Sequence, residues 1–290
     1  MKTFFECIPC ALKQMIEAGR MAADSDSMRE DILREALMIL HRVSFDRSPP
    51  HIAMHLHKMV REVTGQDDPY YAVKKEYNDR ALGQAEYAGA LIETSADPFE
   101  TGVKVAIAGN TIDFGVTDPA VEIELKGLID DMSVQQLKVN HSGKLARKVS
   151  EARTVLYLGD NAGEIVFDRI FIERFMQEKT TYCVKSAPII NDAVMHDAEY
   201  TGMSDTVPVI ENGILPPVPG TEREHASQEF LSMFESADVV IAKGQGNYET
   251  LSDADRELFF LLKAKCPVIA RDIGCSVGDM ICMQKKQGAM

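Results

Sequence analysis

Asp160, Asn161 and Asp192 are the residues of this chain best suited to do chemistry. Two carboxylates and one amide oxygen make an all-oxygen ligand set. A hard cation such as Mg²⁺ accepts such a set and keeps water and phosphate in its remaining positions. Asp160 and Asn161 stand in Leu156-Tyr-Leu-Gly-Asp-Asn-Ala-Gly-Glu164, at the end of the apolar run Thr154-Val-Leu-Tyr-Leu158. A helical pattern begins near Glu164. A helix start offers free N–H groups and the positive end of a dipole to an anion. Glu164 therefore joins the substrate-binding candidates, and the segment points to metal-assisted phosphate chemistry.

Two more polar loops follow apolar runs. Lys185-Ser-Ala-Pro-Ile-Ile-Asn-Asp192 comes after residues 182–184, and Lys243-Gly-Gln-Gly-Asn247 after residues 239–242. If those runs are parallel strands, all three loops leave one sheet edge. They then bring together Asp160, Asn161, Asp192 and Lys243. Gly244 and Gly246 would let backbone N–H groups approach a ligand, with Asn247 beside them. Asp160, Asp192 and Lys243 are the catalytic candidates. A metal neutralises phosphoryl oxygens and orients or acidifies a water, and a lysine stabilises the charge of phosphoryl transfer. The attacking group is either that water or a carboxylate such as Asp160 or Asp192. Asn110 and Asp113 would add substrate contacts if their helical layer closes over the mouth. Plainer readings exist for each feature. An Asp-Asn pair after a strand can be a turn, Asp192 a helix cap and Lys243 a solvated side chain. Gly244-Gln-Gly246 opens a dinucleotide fingerprint, but Glu249 stands where its third glycine belongs.

The elements that must position these groups follow from periodicity. Apolar spacing predicts helices over 8–22, 27–43, 50–64 and 70–95, then over 97–109, 119–131 and 143–151. From residue 153, β-branched runs at 155–158, 181–184, 207–210, 239–242 and 268–270 alternate with helical segments at 163–177, 192–199, 224–236 and 252–264. This alternation predicts an α/β fold with a largely parallel sheet, whose ligands gather at the carboxyl ends of the strands. The division expected is an all-helical subdomain over 1–96 and an α/β domain over 97–290 that carries the metal and phosphate site. Residues 97–152 form a helical connection packed on the latter.

Composition narrows the function classes. The chain has 290 residues, 45% hydrophobic and 26% charged, with a formal net charge of -14. That balance disfavours nucleic acid and anionic membrane as partners, since both are held by basic patches. A small phosphorylated metabolite stays open, because a local field can differ from the net charge. No run approaches the roughly 20 apolar residues of a membrane span. Glu6 and Lys13 interrupt any signal-peptide core, so the cytoplasm is the expected location. The six cysteines are too irregularly spaced for a secreted disulfide scaffold. Cys7 and Cys10 with His51 and His55 are either half of a zinc site each, or thiols and surface imidazoles with no metal. Nothing in the chain specifies an oligomeric state.

Gly159-Asp-Asn-Ala-Gly-Glu164, Asn191-Asp192, Lys243-Gly-Gln-Gly-Asn-Tyr-Glu249 and Gly109-Asn-Thr-Ile-Asp113 resemble the signature blocks of the metal-dependent damage-control phosphatases. Cys7-Ile-Pro-Cys10, Ser48-Pro-Pro50 and Asp68-Pro-Tyr70 with Lys74 and Asn78 resemble its archaeal and bacterial branch. The resemblance covers essentially the whole chain. It implies a helical N-terminal region on an α/β/α core. It implies hydrolysis of phosphomonoesters, sugar phosphates or damaged phosphometabolites, with Mg²⁺, Mn²⁺, Co²⁺ or Ni²⁺. It also implies Asp160, Asn161 and Asp192 as metal ligands and Lys243 on phosphate. Two alternatives remain: an S-adenosylmethionine-dependent methyltransferase and a non-catalytic metal- or metabolite-binding protein.

Overall fold

The computed structural model describes residues 1–109 and 125–285. Six helices come first: α1 (Cys7–Ala22), α2 (Asp26–Leu40), α3 (Pro49–Thr64), α4 (Tyr71–Leu82), α5 (Ala85–Thr94) and α6 (Pro98–Gly109). After residue 124 come α7 (Leu125–Val134), β1 (Leu137–Asn140), α8 (Ser142–Glu151), β2 (Val155–Leu158) and α9 (Glu164–Phe175). Then follow β3 (Thr180–Val184), the short α10 (Met195–Tyr200) and α11 (Met203–Thr206), β4 (Val209–Glu211) and α12 (Gln228–Ser236). The last elements are β5 (Val239–Lys243), α13 (Gly244–Leu251), β6 (Leu258–Lys263), α14 (Pro267–Ile273) and β7 (Met280–Lys285).

The strands form one sheet in the order β1-β7-β6-β5-β2-β3-β4. Every neighbouring pair is parallel except β6 and β7. All four residues of β2 are buried, as expected of a strand covered on both faces. Alternation divides the core. Tyr157, Tyr182 and Ile241 face one way, onto Val103 and Ile107 of α6 and Ile165 and Phe171 of α9. Leu156, Leu158 and Val240 face the other, onto Phe230 and Phe234 of α12, Leu251 of α13 and Ile269 of α14. The helix–sheet–helix layering meets the expected α/β class.

The first three helices pack on one another through Met15, Ala18, Ile32, Leu56 and Val60. The start of α3 is capped locally: the Ser48 side chain accepts from His51 N–H, and Pro49 and Pro50 occupy the first turn. Helices α4 and α5 instead join α9, through Ala81, Ala88 and Ile92 against Val166, Phe167 and Ile170. Among the described residues, no helix is long and apolar enough to cross a membrane.

Several element expectations need correction. The helix predicted over 252–264 gives way to β6, because Leu258-Phe-Phe-Leu-Leu262 is an apolar run without a period and is buried on both faces. The strand predicted over 268–270 lies in α14, where the Cys266 side chain caps the helix and Pro267 opens it. The helix over 70–95 is two helices with Gly83 and Gln84 between them. Strands β1 and β7 lie outside the runs read as strands: Leu137-Lys-Val-Asn140 alternates over only four residues, and Met280-Ile-Cys-Met283 has no alternation. Asn110 and Asp113 lie outside the described residues.

One core group of the helical layer carries a pH signature. His57 is buried, with Nε2 lacking a hydrogen-bond partner. Burial, helped by Arg61, pushes its pKa down to about 3. The unfolded chain binds that proton near pH ~6.5. Stability from this group is therefore complete above ~6.5 and is lost as pH falls toward 3. At pH ~4.5 a His57→Leu variant should keep about 2–3 kcal/mol more of its neutral-pH stability than the parent does. Urea unfolding at both pH values checks this, and equal acid losses in the two proteins would refute it.

Candidate active site

The chain leaves β2 at Leu158, turns through Gly159-Asp160-Asn161-Ala162-Gly163 and enters α9. Gly163 has φ 76°, a left-handed conformation that favours glycine. Its N–H donates to Asn78 Oδ1 at 2.6 Å. Asn78 in turn donates to Asp197 (2.9 Å), which also meets Lys74 at 3.2 Å. Lys74 and Asn78 are thus buried braces of this loop.

The loop after β3 folds back onto the first. Asn161 and Asp192 form an antiparallel bridge. Ala162 N–H donates to Asn191 O at 2.9 Å, and Ala193 N–H to Asp160 O at 2.8 Å. These backbone bonds bring Asp160, Asn161 and Asp192 together on the wall of a cavity of about 390 Å³. Small-molecule sites begin at roughly 300 Å³. Ile190 in the same loop holds φ 47°, strained for a β-branched residue.

The electrostatics of this corner favour a cation. Asp192 is 3% exposed and its Oδ2 accepts no hydrogen bond. The Lys185 ammonium is 3.5 Å away and is also held by Gly220 O at 2.9 Å. Burial pushes the Asp192 pKa up to about 8; Lys185 opposes the shift and Asp160 adds to it. Asn161 Nδ2 donates to Asp160 Oδ2 and Glu164 Oε2, both at 3.0 Å. With the amide nitrogen committed, the acceptor end of Asn161 is Oδ1. Two carboxylates, one of them with a buried oxygen that accepts no hydrogen bond, and an oriented amide fit a divalent cation.

Behind this corner lies a charged layer that does not line the cavity. The Lys243 ammonium is fully buried and donates to Glu164 Oε1 (2.5 Å), Asp168 Oδ1 (2.5 Å) and Ala106 O (2.8 Å). Its three N–H donors have three acceptors. Burial opposes its charge, yet Asp168 and Glu164 hold its pKa above the ordinary value. Tyr157 and Tyr182 hydroxyls also donate to Asp168, at 2.7 and 3.0 Å. Asn247 is equally buried. It donates to Lys243 O at 2.7 Å and accepts from the Thr221 hydroxyl at 2.8 Å. Gly246 does line the cavity, and a Cβ there would stand 2.1 Å from Pro219 O.

The structure therefore sets Asp160, Asn161, Asp192 and Gly246 on the cavity. Glu164, Lys243, Gly244 and Asn247 sit behind its wall. Lys243, expected on phosphate, here donates to Glu164, Asp168 and Ala106. Cavity residues that sequence reasoning missed include Glu249, Gln245 and Lys265. Burial raises the Glu249 pKa to about 7, Gln245 opposing and Asp160 adding to the shift. Gln245 donates to Glu249 at 2.9 Å one helical turn away, and that i,i+4 spacing was the available signal. Cys7 and Cys10 reach the cavity from α1, whereas His51 and His55 face a different cleft. The two pairs do not form one zinc site.

The chain matches the damage-control phosphatase ARMT1-like domain over residues 3–281. A damage-control phosphatase of Pyrococcus horikoshii is 34% identical over 295 residues, covering 99% of each chain. One of Archaeoglobus fulgidus is 34% identical over 284 residues, covering 95% of this chain and 96% of that protein. An uncharacterized protein of Methanocaldococcus jannaschii is 32% identical over 291 residues, covering 97% and 94%. The crystal structure of a DUF89 family protein from Pyrococcus horikoshii aligns with a TM-score of 0.86 at 33% identity, over 99% of this chain and 100% of that one.

Proposed function

The chain belongs to the damage-control phosphatase ARMT1-like family, and from that premise we propose that it hydrolyses small phosphomonoesters with a divalent cation held by Asp160, Asn161 and Asp192. Sugar phosphates and damaged phosphometabolites are the substrate classes, and Mg²⁺, Mn²⁺, Co²⁺ or Ni²⁺ the candidate ions. The observation that carries the reading is the buried Asp192 Oδ2, which accepts no hydrogen bond and has the Lys185 ammonium 3.5 Å away, beside Asp160 and Asn161 on the cavity wall. Bound there, the ion would neutralise phosphoryl oxygens and lower the pKa of a water.

The chain's own groups have separable tasks. Glu164 fixes the Asn161 amide so that its oxygen faces the ligand position. Lys243 acts through Glu164 as a positioning residue, its ammonium holding that carboxylate by a hydrogen bond in a dry interior. Lys185 stands by Asp192 and limits the negative charge of the corner before an ion binds. Gly246, in the first turn of α13, lets the Pro219 carbonyl pack where a side chain would clash and so sets this stretch of the cavity wall.

Phosphate release from a panel of phosphomonoesters tests the proposal. Chelation with EDTA should bring release to background, and one of the four ions should restore it. Release that ignores EDTA overturns the metal role. No release from any ester by protein that demonstrably binds metal would overturn the phosphatase reading.

A further inference from the structure

We infer that the protein has a second divalent-cation site, made by His51, Glu222, Glu224 and His225, which takes a borderline transition ion such as Zn²⁺. His51 lies in the first turn of α3. The other three belong to the loop that contains the 3₁₀ turn Arg223–His225. One ligand atom from each of the four lies within 4.8 Å of the rest. Among the described residues, this is the one group of three or more His, Cys, Asp or Glu side chains with that convergence.

The individual distances describe a loose, open cup. His51 Nδ1 is 3.0 Å from Glu222 Oε2, and His225 Nε2 is 3.8 Å from the same oxygen. His225 Nε2 is 3.5 Å from Glu224 Oε1. A simple His–Glu hydrogen bond explains the first contact. It does not explain why a second imidazole and a second carboxylate turn to the same point. His51 and Glu222 form the covered floor, with side chains 16% and 9% exposed, and Glu224 and His225 form the solvent-facing rim.

The ligand chemistry differs from that of the catalytic corner. Two imidazoles and two carboxylates suit tetrahedral Zn²⁺ or Co²⁺, whereas the all-oxygen set at Asp160 suits a hard ion. The carboxylates have the outer partners that orient ligands. The Ser48 hydroxyl donates to Glu222 Oε1 at 3.1 Å, and Arg47 donates to Glu224 Oε1 at 2.6 Å. A carboxylate can keep such a hydrogen bond while it coordinates.

The position gives the ion a task. His51 and Glu222 are 171 residues apart in sequence. On one side of the cup, Pro49 and Pro50 of α3 line the catalytic cavity; on the other, the chain runs back to Pro219, which lines it too. An ion here would fasten the helical wall of that cavity to the loop beside α13.

The test uses full-length, metal-stripped protein and Co²⁺ alone as probe, read by equilibrium dialysis and visible absorption. The Asp160→Ala variant removes the catalytic corner from the count. It should still bind one Co²⁺, with the intense bands of a tetrahedral, nitrogen-containing site. Adding His225→Ala or Glu224→Gln, both on the exposed rim, should weaken that binding at least about 100-fold and abolish the bands. The proposal is overturned if the Asp160→Ala protein binds no Co²⁺. It is equally overturned if stoichiometry and spectrum survive both rim substitutions. Neither outcome touches phosphate release in Mg²⁺, which reports on the catalytic corner.

Discussion

Replacing Asp160 with alanine is expected to lower metal-dependent phosphate release by about 10³-fold and to leave the protein folded. A bound cation supplies several kcal/mol of transition-state stabilisation, and each ~1.4 kcal/mol is a factor of ten in rate. Asp160 supplies one of the two carboxylates, and its Oδ2 also accepts from the Asn161 amide at 3.0 Å. The substitution thus removes one ligand and loosens another. Folding should not suffer, because Asp160 is one of the charges that raise the Asp192 pKa. Without metal, the two carboxylates repel, and removing one relieves the other. Titrating Mg²⁺ or Mn²⁺ into both proteins, with thermal unfolding of each, separates weak ion binding from misfolding. Full metal-dependent activity in a folded Asp160→Ala protein would remove this corner from the mechanism.

The second large effect concerns stability. Lys243→Met should cost about 3–5 kcal/mol, because it leaves Glu164 and Asp168 buried without their cation. For a chain of this size that is a fall in Tm of roughly 5–8 °C. The penalty should shrink at low pH, where stranded carboxylates accept protons in place of the lysine. Thermal unfolding of parent and variant at pH ~5 and ~8 measures both features. A solvated loop lysine would cost less than about 0.5 kcal/mol. A shift that small would show that the buried network does not hold the structure together.

Asp160, Asn161 and Asp192 were legible because strand-end loops read clearly: a short β-branched run, a turn residue, then groups with oxygen. Lys243 was identified by the same logic, but its direction was not. The missing signal lay on α9, where Glu164 and Asp168 are four residues apart in an otherwise apolar stretch of Ile165, Val166, Phe167 and Ile170. Two acids on one face of a buried helix require a cation nearby. Strand β6 was misread because an apolar run buried on both faces has no period to distinguish helix from strand. The cup at His51 and Glu222 had no local pattern at all, since its halves meet only through tertiary packing.

The catalytic cavity draws its walls from distant parts of the chain. The corner of Asp160, Asn161 and Asp192 comes from the loops after β2 and β3, while Cys7, Cys10, Pro49 and Pro50 of α1 and α3 line the same cavity. On the proposed reading, the residues that would choose the ester and those that would cleave it are written in different stretches of sequence. Substitutions in the first 64 residues would then reshape which ester is accepted and leave Asp160, Asn161 and Asp192 in place. On that reading, a lineage that met a new unwanted phosphoester would need to rework a helical rim, not to reinvent the reaction.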